Sequence, residues 1–422
     1  MRPKRVVTVA FCLTLLSQAL LAEPVLAAAG DLDTSFSGDG IAATHFGGAD
    51  EAMSVLIQSN GRIVLTGYGA DGFVELARFR PNGTLDSSFG KNGKVRTRFP
   101  LGSIGIWSGA GALQEDDRIV VVGSQNKQDE TSSDFVVLRY TKNGARDSSF
   151  GVNGKVVTDV SDGGSDAPYA VAIYPGGRIL AAGTLWISGN PSDADLELAR
   201  YRPDGQLDGS FGDGGTAIVD LGAYDSMQGL ALQSDGKIVV VGDRGFDLTI
   251  FVARLMRYGS LDPSFDGDGI VTLDLGEWAH GYDVAVQPDG KIVIVGNSPR
   301  GVVVARYLTN GTLDTAFGNN GVVQFPIGEG FEHARAVALQ PDGKIVVAGD
   351  LADRYFFVAR LMGDGTPDAA FGTNGRVTTD LGGFQDYCND IAIQQDGAIL
   401  AAGTMTPNPN DADFVVVRYL GS

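Results

Sequence analysis

The sequence is poor in cysteine, histidine and helical periodicity, and each shortage excludes something. Its 422 residues hold two cysteines, Cys12 and Cys388, and three histidines, His45, His280 and His333. A disulfide framework and a zinc-ligand spacing are therefore both absent. Past the first thirty residues no apolar stripe recurs at i, i+3, i+4 and i+7, which argues against a helical bundle. Positive charge is also short. Lys and Arg number 32 against 51 Asp and Glu, a net charge of −19, which disfavours nucleic acid and anionic membrane surfaces as partners. No phosphate-cradling loop and no Gly-x-Ser-x-Gly elbow occurs.

What is present begins with a leader. "MRPKR" is a basic segment, "VVTVAFCLTLLSQALLA" is an apolar one, and "EPVLAAAG" offers small residues for cleavage. Residues 1–29 read as a secretory signal peptide, and 30–422 as a single domain that is secreted to a periplasmic or extracellular setting. The apolar run is short for a membrane span and is broken by Ser17, Gln18 and Glu23. Cleavage would remove three basic residues and one acid, taking −19 to about −21. It would also leave Cys388 without a partner.

The rest of the chain repeats one phrase. An Asp-x-x-Phe box recurs at 32–36, 85–89, 146–150, 207–211, 261–265, 313–317 and 367–371. Between boxes lies a second phrase, "AVQPDGKIVIVG" in one copy, and a third, "VVVARY". Short β-branched runs bounded by turn residues are strands. "QPDGK" and "RPDGQ" are hairpin turns in which Gly supplies φ > 0. Each copy thus supplies four strands, a to d. The spacing leaves open whether the box starts strand d or forms a turn before it.

Arg and Asp recur eight residues apart across the c–d hairpin. The pairs are Arg78/Asp86, Arg139/Asp147, Arg200/Asp208, Arg254/Asp262, Arg306/Asp314 and Arg360/Asp368. Opposite charges facing across a hairpin stabilise pairing by about 0.2–1 kcal/mol, and a pair present in every copy is structural rather than catalytic.

These phrases, "LDxSFGxxGxVxT", "AVAxQPDGKIVVAG" and "FVVARYxxDGxLD", resemble the delta-60 repeat of secreted bacterial proteins over residues 31–420. The resemblance implies a β-propeller and an extracellular setting, and brings no catalytic residues. The expected fold is all-β: a seven-bladed β-propeller of four-stranded antiparallel blades. The last copy stops after strand c at "DFVVVRYLGS", and "DLDTSFSGDGIAATHF" supplies a box and a strand d near the N-terminus. Pairing the two closes the ring and gives Arg418 its partner in Asp33.

Function is expected on the face carrying the b–c and d–a loops, which vary between copies. The candidate binding residues there are Trp107, Tyr224, Trp278, His280, Glu329, Phe331, Glu332, His333 and Phe384. Aromatic rings beside carboxylates suit sugar stacking, and wedging between blades is the competing role. No catalytic residue, metal ligand or cofactor is assigned. The Asp-Gly turns "SFSGDGI" and "SFDGDGI" could hold structural calcium, but turn formation explains them without an ion. The reading is a monomeric binding or scaffold module for a glycan or a cell-surface protein. Its rivals are a hydrolase or lyase with its site at the channel mouth, and a purely structural envelope protein.

Overall fold

The computed structural model describes residues 27–69, 72–98, 110–127, 132–161, 164–186, 194–222, 224–245, 248–408 and 411–422. Trp107 and nearly all of the leader lie outside them. No helix occurs among the described residues. The strands form five four-stranded antiparallel sheets and one of eight strands. The eight-stranded sheet is two four-stranded halves joined by a single parallel bridge, Ser133 to Ser165.

One unit shows how the phrase folds. Strands Asp50–Ile57, Ile63–Gly69, Phe73–Phe79 and Lys94–Arg98 pair in sequence order. At the first hairpin Gln58 N donates to Arg62 O at 2.8 Å, and Gly61 takes φ +77°. At the second, Arg80 N donates to Thr84 O and Asp86 N to Arg78 O, each at 2.8 Å. That is the register the eight-residue spacing implies. The box itself is a turn: Phe89 N donates to Asp86 O at 3.0 Å and Gly93 N to Phe89 O at 2.9 Å. Strand d starts only at Lys94.

The repeated Arg and Asp meet in every copy. The shortest N–O separations are 3.0 Å for Arg78–Asp86, 2.8 Å for Arg139–Asp147, 3.0 Å for Arg200–Asp208, 2.7 Å for Arg254–Asp262, 2.9 Å for Arg306–Asp314, 2.8 Å for Arg360–Asp368 and 2.6 Å for Arg418–Asp33. Each of the first six guanidiniums also lies 4.5–4.8 Å from its box phenylalanine ring. It donates as well to a carbonyl of the following unit, as from Arg78 to Lys142 and from Arg200 to Arg257, both at 2.6 Å. One buried cation therefore fastens a hairpin, a ring and the neighbouring unit. Burying it is tolerable because its donors are satisfied.

The apolar cores lie between successive sheets, not within them. Leu180 and Leu196 of one unit, for example, pack with Ile238 and Phe251 of the next. Strands a face each other: Asp50–Ile57, Gly111–Leu113, Ser165–Ile173, Asp225–Leu232, His280–Val286, Glu332–Leu339 and Gln385–Ile393 touch in that order, and the last touches the first.

The two ends of the chain share one sheet. Ile41–Thr44 pairs antiparallel with Asp411–Tyr419, Ile41 opposite Val417 and Thr44 opposite Phe414. Leu420 N donates to Asp31 O at 2.9 Å and Gly30 N to Leu420 O at 2.8 Å. These are the two bonds that Arg80, Thr84 and Gly83 make within a continuous turn. Ala29 and Gly421 thus occupy adjacent turn positions. Phe36 is fully buried among Leu400, Phe414 and Val416 on one side and Ala52, Ile63 and Phe79 on the other.

Candidate functional site

Strand a carries a bulge in six units, and the bulge builds the site. The register against strand b slips between Ala52 and Ser54, Pro168 and Ala170, Met227 and Gly229, Gly281 and Asp283, Ala334 and Ala336, and Cys388 and Asp390. The residues left over are Met53, Tyr169, Gln228, Tyr282, Arg335 and Asn389, and all six line one cavity of about 270 Å³ where the strands a face each other. A bulge re-aims its extra side chain and pushes the backbone aside. The effect on strand b is direct. A Cβ on Gly349 would lie 1.7 Å from His333 O, and one on Gly183 would lie 1.9 Å from Ala167 O. The recurrent "IVVAG" glycine is the imprint of that bulge, because only a residue without a side chain admits the carbonyl.

The cavity is polar. Asp283 accepts from Val337 N at 2.9 Å and Asp390 from Val55 N at 2.8 Å, so each carboxyl holds the strand of the next unit. Burial pushes both pKa values up to about 7 despite these bonds. Burial likewise pushes the phenols of Tyr169 and Tyr282 up to about 12, which keeps them protonated donors.

Above it, on the face of the b–c and d–a loops, the rings converge. Tyr282 lies 6.1 Å from the His280 ring and, edge to face, 6.4 Å from His333. Trp278 lies 5.6 Å from His280 and 6.3 Å from Phe331. Arg335 sits 5.9 Å from the rings of both Tyr282 and Tyr387. Its Nε donates to Asp350 Oδ1 at 2.6 Å, while Asp350 Oδ2 takes His333 Nδ1 at 2.9 Å. His280 Nδ1 pairs with Asp243 Oδ2 at 2.7 Å, and this bond raises its pKa against the opposing effect of burial.

The residues expected from sequence do not all gather at one place. Trp278, His280, Phe331 and His333 gather at this mouth. Phe331 and Phe384 are strongly exposed, at 64% and 60%, and Glu329, two residues before Phe331, is exposed as well. Glu332 is buried, and its Oε1 accepts from Ile327 N at 3.0 Å, so its carboxylate staples the d–a loop. Tyr224 is half-buried, with its backbone bridged to Ala194. Trp107 falls outside the described residues. The bulge residues Tyr282 and Arg335 were missed, and the strand-b glycine is the signal that could have found them.

Among the described residues, three groups of side chains have metal-ligating donors close together. In one, Asp350 is already taken by His333 and Arg335. In another, Lys127 bridges Asp134 and Asp159. In the third, His45 lies 2.8 Å from Asp413 and 3.2 Å from Asp411. Asp39 and Asp268 of the Asp-Gly turns accept from the N–H two residues on, Ile41 and Ile270, each at 2.9 Å.

Six segments of the chain, residues 58–89, 114–150, 175–211, 233–265, 287–317 and 340–371, match a β-propeller domain of unknown function (DUF5122). No curated protein matches the chain. Among solved structures, a polysaccharide lyase of family PL25, an ulvan lyase bound to a -[GlcA(1-4)Rha3S]- saccharide, is 12% identical, with a TM-score of 0.50 over 90% of this chain and 96% of its own. A protein from Lactobacillus plantarum is 13% identical, with a TM-score of 0.48 over 85% and 92%. An α-L-arabinofuranosidase from Fusarium graminearum is 12% identical, with a TM-score of 0.43 over 93% and 97%. Identities this low speak to fold alone. The repeated four-stranded antiparallel sheets and the six matched segments together support a β-propeller repeat protein.

Proposed function

We propose that the chain is a closed seven-bladed propeller, exported from the cell, that binds a neutral carbohydrate at the mouth formed by Trp278, Phe331, His280, Tyr282, His333 and Arg335. Closure is supported by the cyclic order of strands a and by the pairing of Ile41–Thr44 with Asp411–Tyr419. Export is supported by the leader-like residues 1–29. One observation carries the binding reading: the Trp278–Phe331 ring pair stands beside hydrogen-bonding side chains over a polar cavity. Rings stack on the apolar face of a sugar, and the imidazoles, phenol and guanidinium reach its hydroxyls. A glycan array followed by titration calorimetry tests it. Trp278→Ala with Phe331→Ala should weaken the best neutral hit at least tenfold, and a hit indifferent to both changes refutes the placement.

A second reading is catalytic, favoured by the His333–Asp350 pair beside Tyr282 and Arg335. An imidazole oriented by a carboxylate is a general base, and a guanidinium beside it can stabilise developing negative charge. His280→Ala with His333→Ala separates the two readings. The catalytic one requires loss of turnover with affinity largely kept; the binding one predicts no turnover to lose.

A further inference from the structure

The face that carries the repeated a–b and c–d turns is not uniform. A cleft of about 840 Å³ opens on it among the units that contain Tyr174, Gln233 and Gln287. A smaller one, about 420 Å³, adjoins it and shares Tyr174, Pro175, Ser234, Asp235 and Gly236 as walls. Both lie where the repeat is broken. Strand a is followed by glutamine at Gln58, Gln114, Gln233, Gln287, Gln340 and Gln394, but here by Tyr174. The c–d turn has Asn or Asp at Asn82, Asn143, Asp204, Asn310 and Asp364, but the neighbouring unit has Tyr258, which is 49% exposed. The a–b turn loses its acid as well, since Gly176 stands where Asp235, Asp289 and Asp342 stand in later copies.

Positive charge collects at the same place. Arg178 is 53% exposed and reaches the buried Asp208 at 3.1 Å. Arg257 lies over the Tyr258 ring at 4.6 Å and touches its hydroxyl; among the described residues no carboxylate pairs with it. Lys237 lies at the edge, paired with the buried Asp262 at 3.0 Å and with the exposed Asp235 at 3.7 Å, so Arg257 is the cation left for a ligand without a carboxylate partner of its own. In a chain of net charge −19, this local reversal needs an explanation that turn formation does not supply. Two phenol rings flanked by cations suit a chain of rings that bears spaced anions.

We propose that this groove binds an acidic oligosaccharide, with Tyr174 and Tyr258 stacking on sugar rings and Arg178 and Arg257 taking carboxylates. The guanidinium fork matches a carboxylate and stacks on an aromatic face at the same time. The site is separate from the aromatic mouth and stands or falls without it.

Tetragalacturonate is the probe and cellotetraose the neutral control, titrated calorimetrically into the full chain at low salt. Tyr174→Gln with Tyr258→Asn restores the residues found in the other copies, so folding should be kept and is checked by thermal melting. The expected result is saturable binding of tetragalacturonate, weakened about tenfold or more by the double change and by Arg257→Ser. It should weaken further with added salt and be untouched by Trp278→Ala with Phe331→Ala. Absence of saturable binding, equal binding of cellotetraose, or binding indifferent to the tyrosine and arginine changes overturns the proposal.

Discussion

Phe36 offers a direct test of whether the N-terminal segment is a full member of the fold. It is fully buried, as are Phe89, Phe150, Phe211, Phe265, Phe317 and Phe371 at the same box position. Its cavity is walled by residues from both ends of the chain, including Ala52, Ile63, Leu400 and Phe414. Truncating a buried phenylalanine to alanine costs about 3–5 kcal/mol. The Phe36→Ala cost should therefore match that of Phe211→Ala, whose neighbours lie in continuous chain. With an unfolding entropy of about 2.1 cal/mol/K per residue, a chain of this length unfolding as one unit would lose about 3–6 °C of Tm for either change. Urea and thermal unfolding of the two variants side by side is the assay. If Phe36→Ala cost under about 1 kcal/mol while Phe211→Ala cost over 3, the N-terminal segment would be only loosely docked and ring closure would be wrong.

Other consequences can be checked in the same way. Glu75 is buried, and burial together with the neighbouring Asp50 pushes its pKa up to about 8. A carboxyl that binds its proton more tightly when folded makes stability fall as pH rises from its ordinary range towards 8, and level off above. Glu75→Gln should remove that slope and be more stable than the parent at pH 9 by about 1–3 kcal/mol in urea titrations; parallel stability curves would refute the assignment. Glu197, raised by burial and by Asp166, should behave likewise. Gly349→Ala sets a methyl against His333 O and should cost about 2–4 kcal/mol, whereas Gly343→Ala, at an open turn with φ +87°, should cost about 1. A circular permutant that joins Gly421 to Ala29 and opens between Lys127 and Ser132 should melt within a few degrees of the parent; failure to fold would contradict the split turn.

Much of the fold was legible because the phrase repeats. The β-branched runs marked the strands, and the eight-residue Arg/Asp spacing carried the c–d register. The place of the box was not legible, since "LDSSF" suits a strand start as well as a turn; the bonds from Phe89 N and Gly93 N decide for the turn. The bulge residues that line the cavity were missed for a physical reason. A bulge adds one residue without changing the apolar pattern on either side, so Tyr282 and Arg335 read as ordinary strand positions. His280 and His333 share a position but not a partner. Asp350 stands opposite His333, whereas Asn297 stands opposite His280, which reaches back to Asp243 in the preceding unit instead. Glu332 looked like a ligand-binding acid and proved to be a loop staple, because its residue begins strand a and lies under its own loop.

The hairpin assembled from Leu420, Gly421, Ala29 and Gly30 also has a directional consequence. It sits among the c–d turns, so Ala29 and Gly421 lie on the same face as the tyrosine–arginine groove, several units away from it. Anything fused ahead of Ala29 or after Gly421 would sit on that face and present the Trp278–Phe331 mouth outward. Immobilisation through a terminal tag on a sensor surface should then leave the mouth accessible and shield the groove. The polarity of attachment would thereby select which of the two surfaces is seen.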